Sequence, residues 1–288
     1  MKLCKWLLAA VLVLALMMSA IAADAPTLTF KFKTTRVPGA LTTTTGGINN
    51  SGVMVGNYLV SAGGNPHGFM VSGKKWTHID YPKAVATICK NINSDGAIVG
   101  NYQTSKGATF GFLYQNGTFT SIPGPAGALS SSAYGINDDG VIVGSFRNSR
   151  GLHGFRLTGS TYKILNVPTS TATIATGINN KGHIVLYWQD AQDNTESSIW
   201  NGKTYKTIDV PGASNSLAMD LDNADDVVYQ WFDQQYQPHG ELLKGGTYYE
   251  FNYPESMGTY GLGINDEKVV VGLYAPDNDY QGGFVATY

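Results

Sequence analysis

The stretch GINNSGVMVGNY at 47–58 returns, with small changes, as NINSDGAIVGNY at 91–102 and GINDDGVIVGSF at 135–146. Aligning the chain on the isoleucine of that phrase gives Ile48, Ile92, Ile136, Ile178, Leu221 and Ile264, spaced by 44, 44, 42, 43 and 43 residues. A unit of this length cannot bury an apolar face alone, so tandem units must stack against one another. Six of them therefore describe one repeating body, not six independent ones.

Each unit reads as four strands. The residue after the anchor is Asn49, Asn93, Asn137, Asn179, Asp222 or Asn265, and three positions on stands Gly52, Gly96, Gly140 or Gly182. Asn or Asp opening a type I turn with Gly at its fourth position makes a tight connection between strands. Units five and six depart from the pattern with Asp225 and Lys268. Six residues past the anchor comes an apolar pair: Met54-Val55, Ile98-Val99, Ile142-Val143, Ile184-Val185, Val227-Val228 and Val270-Val271. Neighbouring residues in a strand face opposite ways, so this second strand is predicted to be buried on both faces. Ten past the anchor the residue is always aromatic: Tyr58, Tyr102, Phe146, Trp188, Trp231 and Tyr274. A third strand follows a variable link, as in HGFMV (67–71) and HGFRL (153–157), and hairpin turns such as Asn116-Gly117 and Asn201-Gly202 lead to a fourth.

Four antiparallel strands per unit, with neighbours covering both faces, predict an all-β, six-bladed β-propeller over residues 23–288 as a single domain. The last unit stops after its third strand, GGFVATY (282–288), while TFKFKTTRVP (29–38) is a fourth strand without a unit. Joining them would close the ring and remove exposed strand edges.

The recurring words G-I-N-x-x-G-x-I-V-G-x-Y, H-G-F and I-D-x-P-G-A resemble the HAF family of bacterial extracellular repeats, over essentially the whole chain after its leader. His67-Gly68-Phe69, His153-Gly154-Phe155 and Asp209-Val210-Pro211-Gly212-Ala213 match these words; Ser197-Ser198-Ile199 and His239-Gly240-Glu241 depart from the third-strand word. The resemblance implies a secreted repeat protein and carries no reaction with it. Regulator-of-chromosome-condensation repeats share an Asn-x-x-Gly phrase but have a longer unit.

The leader supports secretion. Lys2 and Lys5 precede an apolar run from Trp6 to Met18, and Ala20-Ile21-Ala22 supplies small residues for cleavage near Ala22. Residues 1–22 are read as a signal peptide, and the chain beyond it, with no second apolar run, as a soluble secreted or periplasmic protein without a membrane span. Cys4 leaves with the leader and Cys89 alone remains, so no intramolecular disulfide is expected. After cleavage 17 Lys and Arg face 21 Asp and Glu, a mildly acidic balance that does not call for nucleic acid. The charges are unevenly spread: residues 23–181 hold 13 basic and 5 acidic side chains, residues 182–288 hold 4 and 16. Such a split could drive salt-sensitive self-association; charges scattered over the rim and screened are the simpler reading.

Features common to every unit are scaffold, so function is sought where units differ, on the links LVSAGGNP (59–66), RNSRGL (147–152), QDAQDNTE (189–196) and FDQQYQP (232–238). There Trp188 with Asp190, and Trp231 with Asp233, recur at one offset in units four and five. An indole face beside a carboxylate suits a sugar or an aromatic side chain, whereas the simpler reading of both indoles is continued core. Asp220, Asp222, Asp225 and Asp226 crowd one segment and could hold Ca²⁺, but the bidentate Glu of a calcium loop would fall at Trp231, and a solvated acidic turn explains them as well. His67, His153 and His239 are spaced 86 apart, on alternate units; three imidazoles could hold Zn²⁺ if they faced the axis, while a hydrogen bond to a neighbouring turn is the structural alternative.

No nucleophile elbow, metalloprotease helix or phosphate loop occurs. The reading is therefore a non-catalytic module without a cofactor that binds an extracellular glycan or protein through its link face. The alternative is a propeller hydrolase or lyase on extracellular polysaccharide, using acids among Asp190, Asp193, Glu196, Asp220 and Asp233.

Overall fold

The computed structural model describes residues 27–276 and 280–288; the leader over 1–22, with Cys4 and the cleavage point near Ala22, lies outside them. Every regular element among the described residues is a strand. The chain begins with β1 (Lys31–Thr35). Repeat one supplies β2 (Thr42–Ile48), β3 (Met54–Leu59), β4 (His67–Ser72) and β5 (Lys75–His78). Repeat two supplies β6 (Ala86–Ile92), β7 (Ile98–Gln103), β8 (Thr109–Gln115) and β9 (Thr118–Ile122). Repeat three supplies β10 (Ser130–Ile136), β11 (Ile142–Asn148), β12 (Gly151–Thr158) and β13 (Thr161–Leu165). Repeat four supplies β14 (Ala172–Ile178), β15 (Ile184–Gln189), β16 (Thr195–Trp200) and β17 (Tyr205–Thr207). Repeat five supplies β18 (Asn215–Leu221), β19 (Val227–Phe232), β20 (Pro238–Lys244) and β21 (Thr247–Phe251). Repeat six supplies β22 (Gly258–Asn265), β23 (Val269–Ala275) and β24 (Gly282–Thr287).

Pairing gives four four-stranded sheets and one eight-stranded sheet. The larger sheet is two meanders, β10 to β13 and β14 to β17, joined by one parallel bridge between Leu152 and Ala172. Together the sheets form a β-propeller. The unpaired ends meet as the sequence predicts: β1 runs antiparallel to β24, with Lys31 opposite Thr287 and Thr35 opposite Gly283. Phe32 of β1 packs edge-on against Phe284 of β24 and against Tyr253, at 5.5 and 5.4 Å between ring centroids.

Packing follows from the apolar pairs of the second strands. Ile98 and Val99, Ile142 and Val143, Ile184 and Val185, Val227 and Val228, and Val270 and Val271 are buried, each pair dividing its two side chains between the sheet's two faces. Neighbouring sheets are also tied by hydrogen bonds that recur in register: Val37, Tyr81, Val167, Val210 and Tyr253 donate their backbone N–H to the hydroxyls of Thr43, Thr87, Thr173, Ser216 and Thr259. Tyr81 lies flat on Tyr102, and Tyr253 on Tyr274, both at 3.6 Å.

The first strand of each repeat is innermost, and β2, β6, β10, β14, β18 and β22 follow one another around the axis. Each carries a bulge just before its anchor, between Thr45 and Gly47, Cys89 and Asn91, Ala133 and Gly135, Ala175 and Gly177, Ala218 and Asp220, and Gly261 and Gly263. A bulge bends the strand and re-aims the side chains that follow it, here toward the axis. Space there is short. A Cβ on Gly47 would stand 2.8 Å from the Asn91 Cα, and one on Gly177 would stand 2.6 Å from the Asp220 Oδ1. Where repeats five and six lack the turn glycine, Asp225 and Lys268 themselves adopt the left-handed backbone, at φ 69° and 60°, at a cost of about 1 kcal/mol each.

Candidate functional site

The tight turns after the inner strands surround one end of the axis and clasp one another. The Asn49 side-chain amide donates to the Asn93 carbonyl at 3.0 Å, Asn93 to Asn137 at 3.1 Å, Asn137 to Asn179 at 3.2 Å, Asn179 to Asp222 at 2.9 Å and Asn265 to Asn49 at 3.0 Å. Each Oδ1 meanwhile accepts an N–H of its own turn, as from Val53, Ala97, Val141, His183 and Val269. One residue type thus shapes the turn and ties it to the next repeat. The circle breaks only at Asp222, whose carboxylate has no N–H to give. A second circle lies outside it: the backbone N–H of Ser94, Asp138, Asn180, Asn223 and Asp266 reach Asp138, Asn180, Asn223, Asp266 and Asn50, at 2.8 to 3.0 Å. Burial raises the Asp138 carboxyl, but the donors on Ser94 and Asn180 outweigh it and hold the group below its ordinary range. The two circles line a polar depression of about 60 Å³.

Beneath this depression the axis is closed. Asn91 and Asp220, 9% and 4% exposed, project from β6 and β18, three repeats apart, and the Asn91 Nδ2 donates to the Asp220 Oδ2 at 3.1 Å. The other repeats carry Gly47, Gly135, Gly177 and Gly263 at this level, which leaves room for one pair. Burial pushes Asp220 up to about 7, against the opposing hydrogen bonds from Leu221, Ile264 and Asn91. On the far side of the plug lies a cavity of about 50 Å³, lined by Thr44, Asn57, Lys90, Tyr134, Thr176 and Met219 among others. Tyr134 also lines a pocket of about 210 Å³ that holds Ser130, Ser132, Arg147, Leu152, Ile174 and Tyr187. That pocket lies toward the end of the disc carrying the variable links.

The structure distributes the expected site residues as follows. Trp188 is buried in the core and donates its indole N–H to Ser198 at 3.1 Å. Trp231 is half-buried, stacks on His239 at 4.5 Å, and aims a buried N–H at the Glu241 carboxyl without reaching good hydrogen-bond geometry. Asp190 accepts the N–H of Gln192 and Asn194, and Asp233 those of Gln235 and Gln237, so both carboxylates fold their own links. No hydrogen bond or ring contact joins the Trp188–Asp190 pair to the Trp231–Asp233 pair among the described residues. Asp193 and Glu196 share the link face with them. Asp220 does not: it pairs with Val228, five residues before Asp233, which sets the two carboxyls roughly 16 Å apart along the strand.

The acidic segment of repeat five separates into individual partnerships. Asp222 accepts the N–H of Ala224 and Asp226; Asp225 takes Asn179, His183 and Lys181; Asp226 takes Lys244. His67, His153 and His239 stand on third strands, away from the axis, bonded respectively to Asp80 at 2.9 Å, Asn166 at 3.2 Å and Glu250 at 2.8 Å. Among the described residues no three His, Cys, Asp or Glu side chains are gathered as metal ligands, and no helix is long and apolar enough to cross a membrane.

Sequence reasoning passed over the axial pair, although one signal marked it. At the position before each anchor four repeats carry Gly, and only repeats two and five carry Asn91 and Asp220. It also passed over Glu241, which is buried beside Glu250; burial chiefly, and then the Glu250 charge, push it up to about 7.

No protein-family model matches the chain, and no curated protein matches it. Solved structures do share its fold. SapL1 lectin in complex with alpha methyl fucoside is 14% identical, with 85% of this chain and 92% of that chain covered and a TM-score of 0.55. A catalytically inactive virginiamycin B lyase from Staphylococcus aureus with quinupristin is 12% identical, with 90% and 100% covered and a TM-score of 0.52. The β-propeller domain of the trilobed protease from Pyrococcus furiosus is 12% identical, with 83% and 79% covered and a TM-score of 0.53.

Proposed function

We propose that this chain is a secreted, non-catalytic propeller of six four-stranded blades, built from HAF-type repeats, that binds carbohydrate through the face of its variable links. The count of six is supported by the single bridge that joins the eight-stranded sheet's two meanders, each of which resembles the four-stranded sheets elsewhere. The observation that carries the binding reading is the pocket of about 210 Å³ in which the hydroxyls of Thr109, Ser130, Ser132 and Tyr187 stand with Arg147 beside Leu152 and Ile174. A sugar presents hydroxyls at its edge and C–H groups on its faces, and a pocket of mixed hydroxyl, guanidinium and aliphatic character complements both. A lectin with the same fold, solved with a fucoside, supports a saccharide as the ligand class. In this reading Asp190 and Asp233 hold the neighbouring links in shape, and Trp188 and Trp231 support them from below.

The test is a glycan array probed with residues 23–288, followed by calorimetry on the hits. Saccharide binding weakened at least tenfold by Arg147→Ala is the expected result. A folded protein that retains no glycan overturns the reading.

A second reading, a hydrolase or lyase on extracellular polysaccharide, draws support from Glu241, whose carboxyl is poised near neutrality beside Glu250 in repeat five. Polysaccharide turnover abolished by Glu241→Gln, with the fold intact, would replace the binding reading.

A further inference from the structure

Among the described residues, two cations on the link side of the plug have no anionic partner. Lys90 is the bulge residue of β6, and its side chain lines the axial cavity with its Nζ 5.7 Å from the centre of the Tyr134 ring. Arg147, at the outer end of β11, lines the adjoining pocket. The ion pairs among the described residues engage Lys181, Lys244, His67, His183 and His239, and neither Lys90 nor Arg147. Among the described residues neither side chain makes a hydrogen bond, and neither cavity has an acidic side chain in its lining. Asp220, the acid next along the axis, is engaged by Asn91 and by the Ile264 N–H. Burial lowers the Lys90 amine, and no neighbouring charge offsets that effect.

The cavities toward the two ends of the axis thus differ in the sign of the charges that line them. Asp138, Asp222 and Asp266 line the turn-side depression, whereas among the described residues Lys90 and Arg147 bring the only formal charges to the link-side cavities. Lys90 is drawn partly out of water with only the Tyr134 ring beside it, an unfavourable state that an arriving anion relieves, and Arg147, exposed at the rim of the pocket, adds a second positive charge. Tyr134 is common to both cavities, with Lys90 over its ring and Arg147 further out along the same sheet, opposite Ser130, and the other lining residues include Thr44, Thr176, Ser130, Ser132 and Tyr187.

We infer that the ligand of this face is an anionic saccharide, its acidic groups met by Lys90 and Arg147 and its hydroxyls by the serine and tyrosine side chains around them. This inference rests on the reading of the face as a carbohydrate site. Selectivity comes from charge on a sugar-shaped surface: a neutral sugar leaves both cations unpaired, and a bare inorganic anion forgoes the hydroxyls.

The experiment measures binding of residues 23–288 to three probes of matched length: an oligouronate, the same oligosaccharide with its carboxyls reduced to alcohols, and a sulfated oligosaccharide. An acidic probe is expected to bind at least tenfold more tightly than the reduced one, with affinity falling as salt rises; comparison of the first and third probes tells carboxylate from sulfate as the source of charge. Lys90→Gln and Arg147→Gln should each remove most of that preference, and Lys90→Arg should keep it. Arg147 is exposed, so its variant remains informative if Lys90→Gln fails to fold. Equal binding of the acidic and reduced probes overturns the inference and leaves the carbohydrate reading standing. Failure of the folded protein to bind any of the three, or any glycan on the array, overturns both.

Discussion

Asn91 and Asp220 meet on the propeller axis, the amide of one donating to the carboxyl of the other at 3.1 Å from strands three repeats apart. The contact closes the channel and buries a carboxyl whose protonation belongs to the neutral range. Burial raises Asp220 from 3.8 to about 7 in the folded chain. Between those values the folded state holds a proton that the unfolded state has lost, so stability falls as pH rises from about 4 to about 7 and levels off above. Asp222 and Glu241, raised by burial to about 6 and about 7, act in the same direction. Asp220→Asn keeps a hydrogen-bonding partner for Asn91 and removes one titration. Thermal melts from pH 4 to pH 8 should show a shallower decline for the variant and, at pH 8, a gain on the order of 1 to 4 kcal/mol; parallel curves for the two proteins would contradict the buried-carboxyl account.

The broken circle of turns makes a second prediction. Asp222 occupies a place held by asparagine in the other five repeats, accepts the same turn N–H groups, and gives nothing to the next repeat. Asp222→Asn supplies a donor toward the Asn265 carbonyl and removes repulsion from Asp226 and Asp266. Chemical denaturation at pH 7.5 should find it more stable by about 1 kcal/mol. Asn137→Ala, which strips a buried turn of acceptor and donor together, should lose roughly 2 kcal/mol in the same assay.

Ring closure is carried by a short segment. β1 contributes one strand of hydrogen bonds to β24 together with the Phe32 ring, and Phe30 just before it packs on Phe251. Phe32→Ala should cost about 2 to 3 kcal/mol through lost contact with Phe284 and Tyr253. Deleting residues 23–35 should expose the β24 edge, and light scattering should report aggregation at concentrations where the full chain stays clear.

Cys89 offers a direct probe of integrity. Its side chain is buried, desolvation drives the thiol well above its ordinary value, and Gly68 leaves only 2.8 Å between a Cβ built there and the sulfur. An aromatic disulfide reagent should leave the native thiol untouched and titrate one thiol per chain (signal-free) in denaturant. Rapid labelling of the native protein would show that the interface between repeats one and two opens readily.

Much of the scaffold was legible because repetition is a linear signal. Ile98 and Val99 announce a strand buried on both sides wherever the chain puts it, and Asn137 with Gly140 announces a tight turn. The recurring Trp188–Asp190 and Trp231–Asp233 offsets were equally visible, but the contacts around them were not: the Trp188 indole donates inward to Ser198 and the Asp190 carboxylate folds its own link. Lys90 shows the converse. It reads as an ordinary lysine, and a bulge of one residue turns it into the axial cavity.

The amino-acid order by itself determined the period, the four strands of each unit, the turn chemistry and the pairing of β1 with β24, since each depends on local preference or on a pattern repeated along the chain. Tertiary structure alone decided which strand lines the axis, that Asn91 reaches Asp220, and that Lys90 and Arg147 line two cavities that share Tyr134. Those relationships join residues from separate repeats, and spacing along a chain says which positions are equivalent without saying which of them a closed ring will bring face to face.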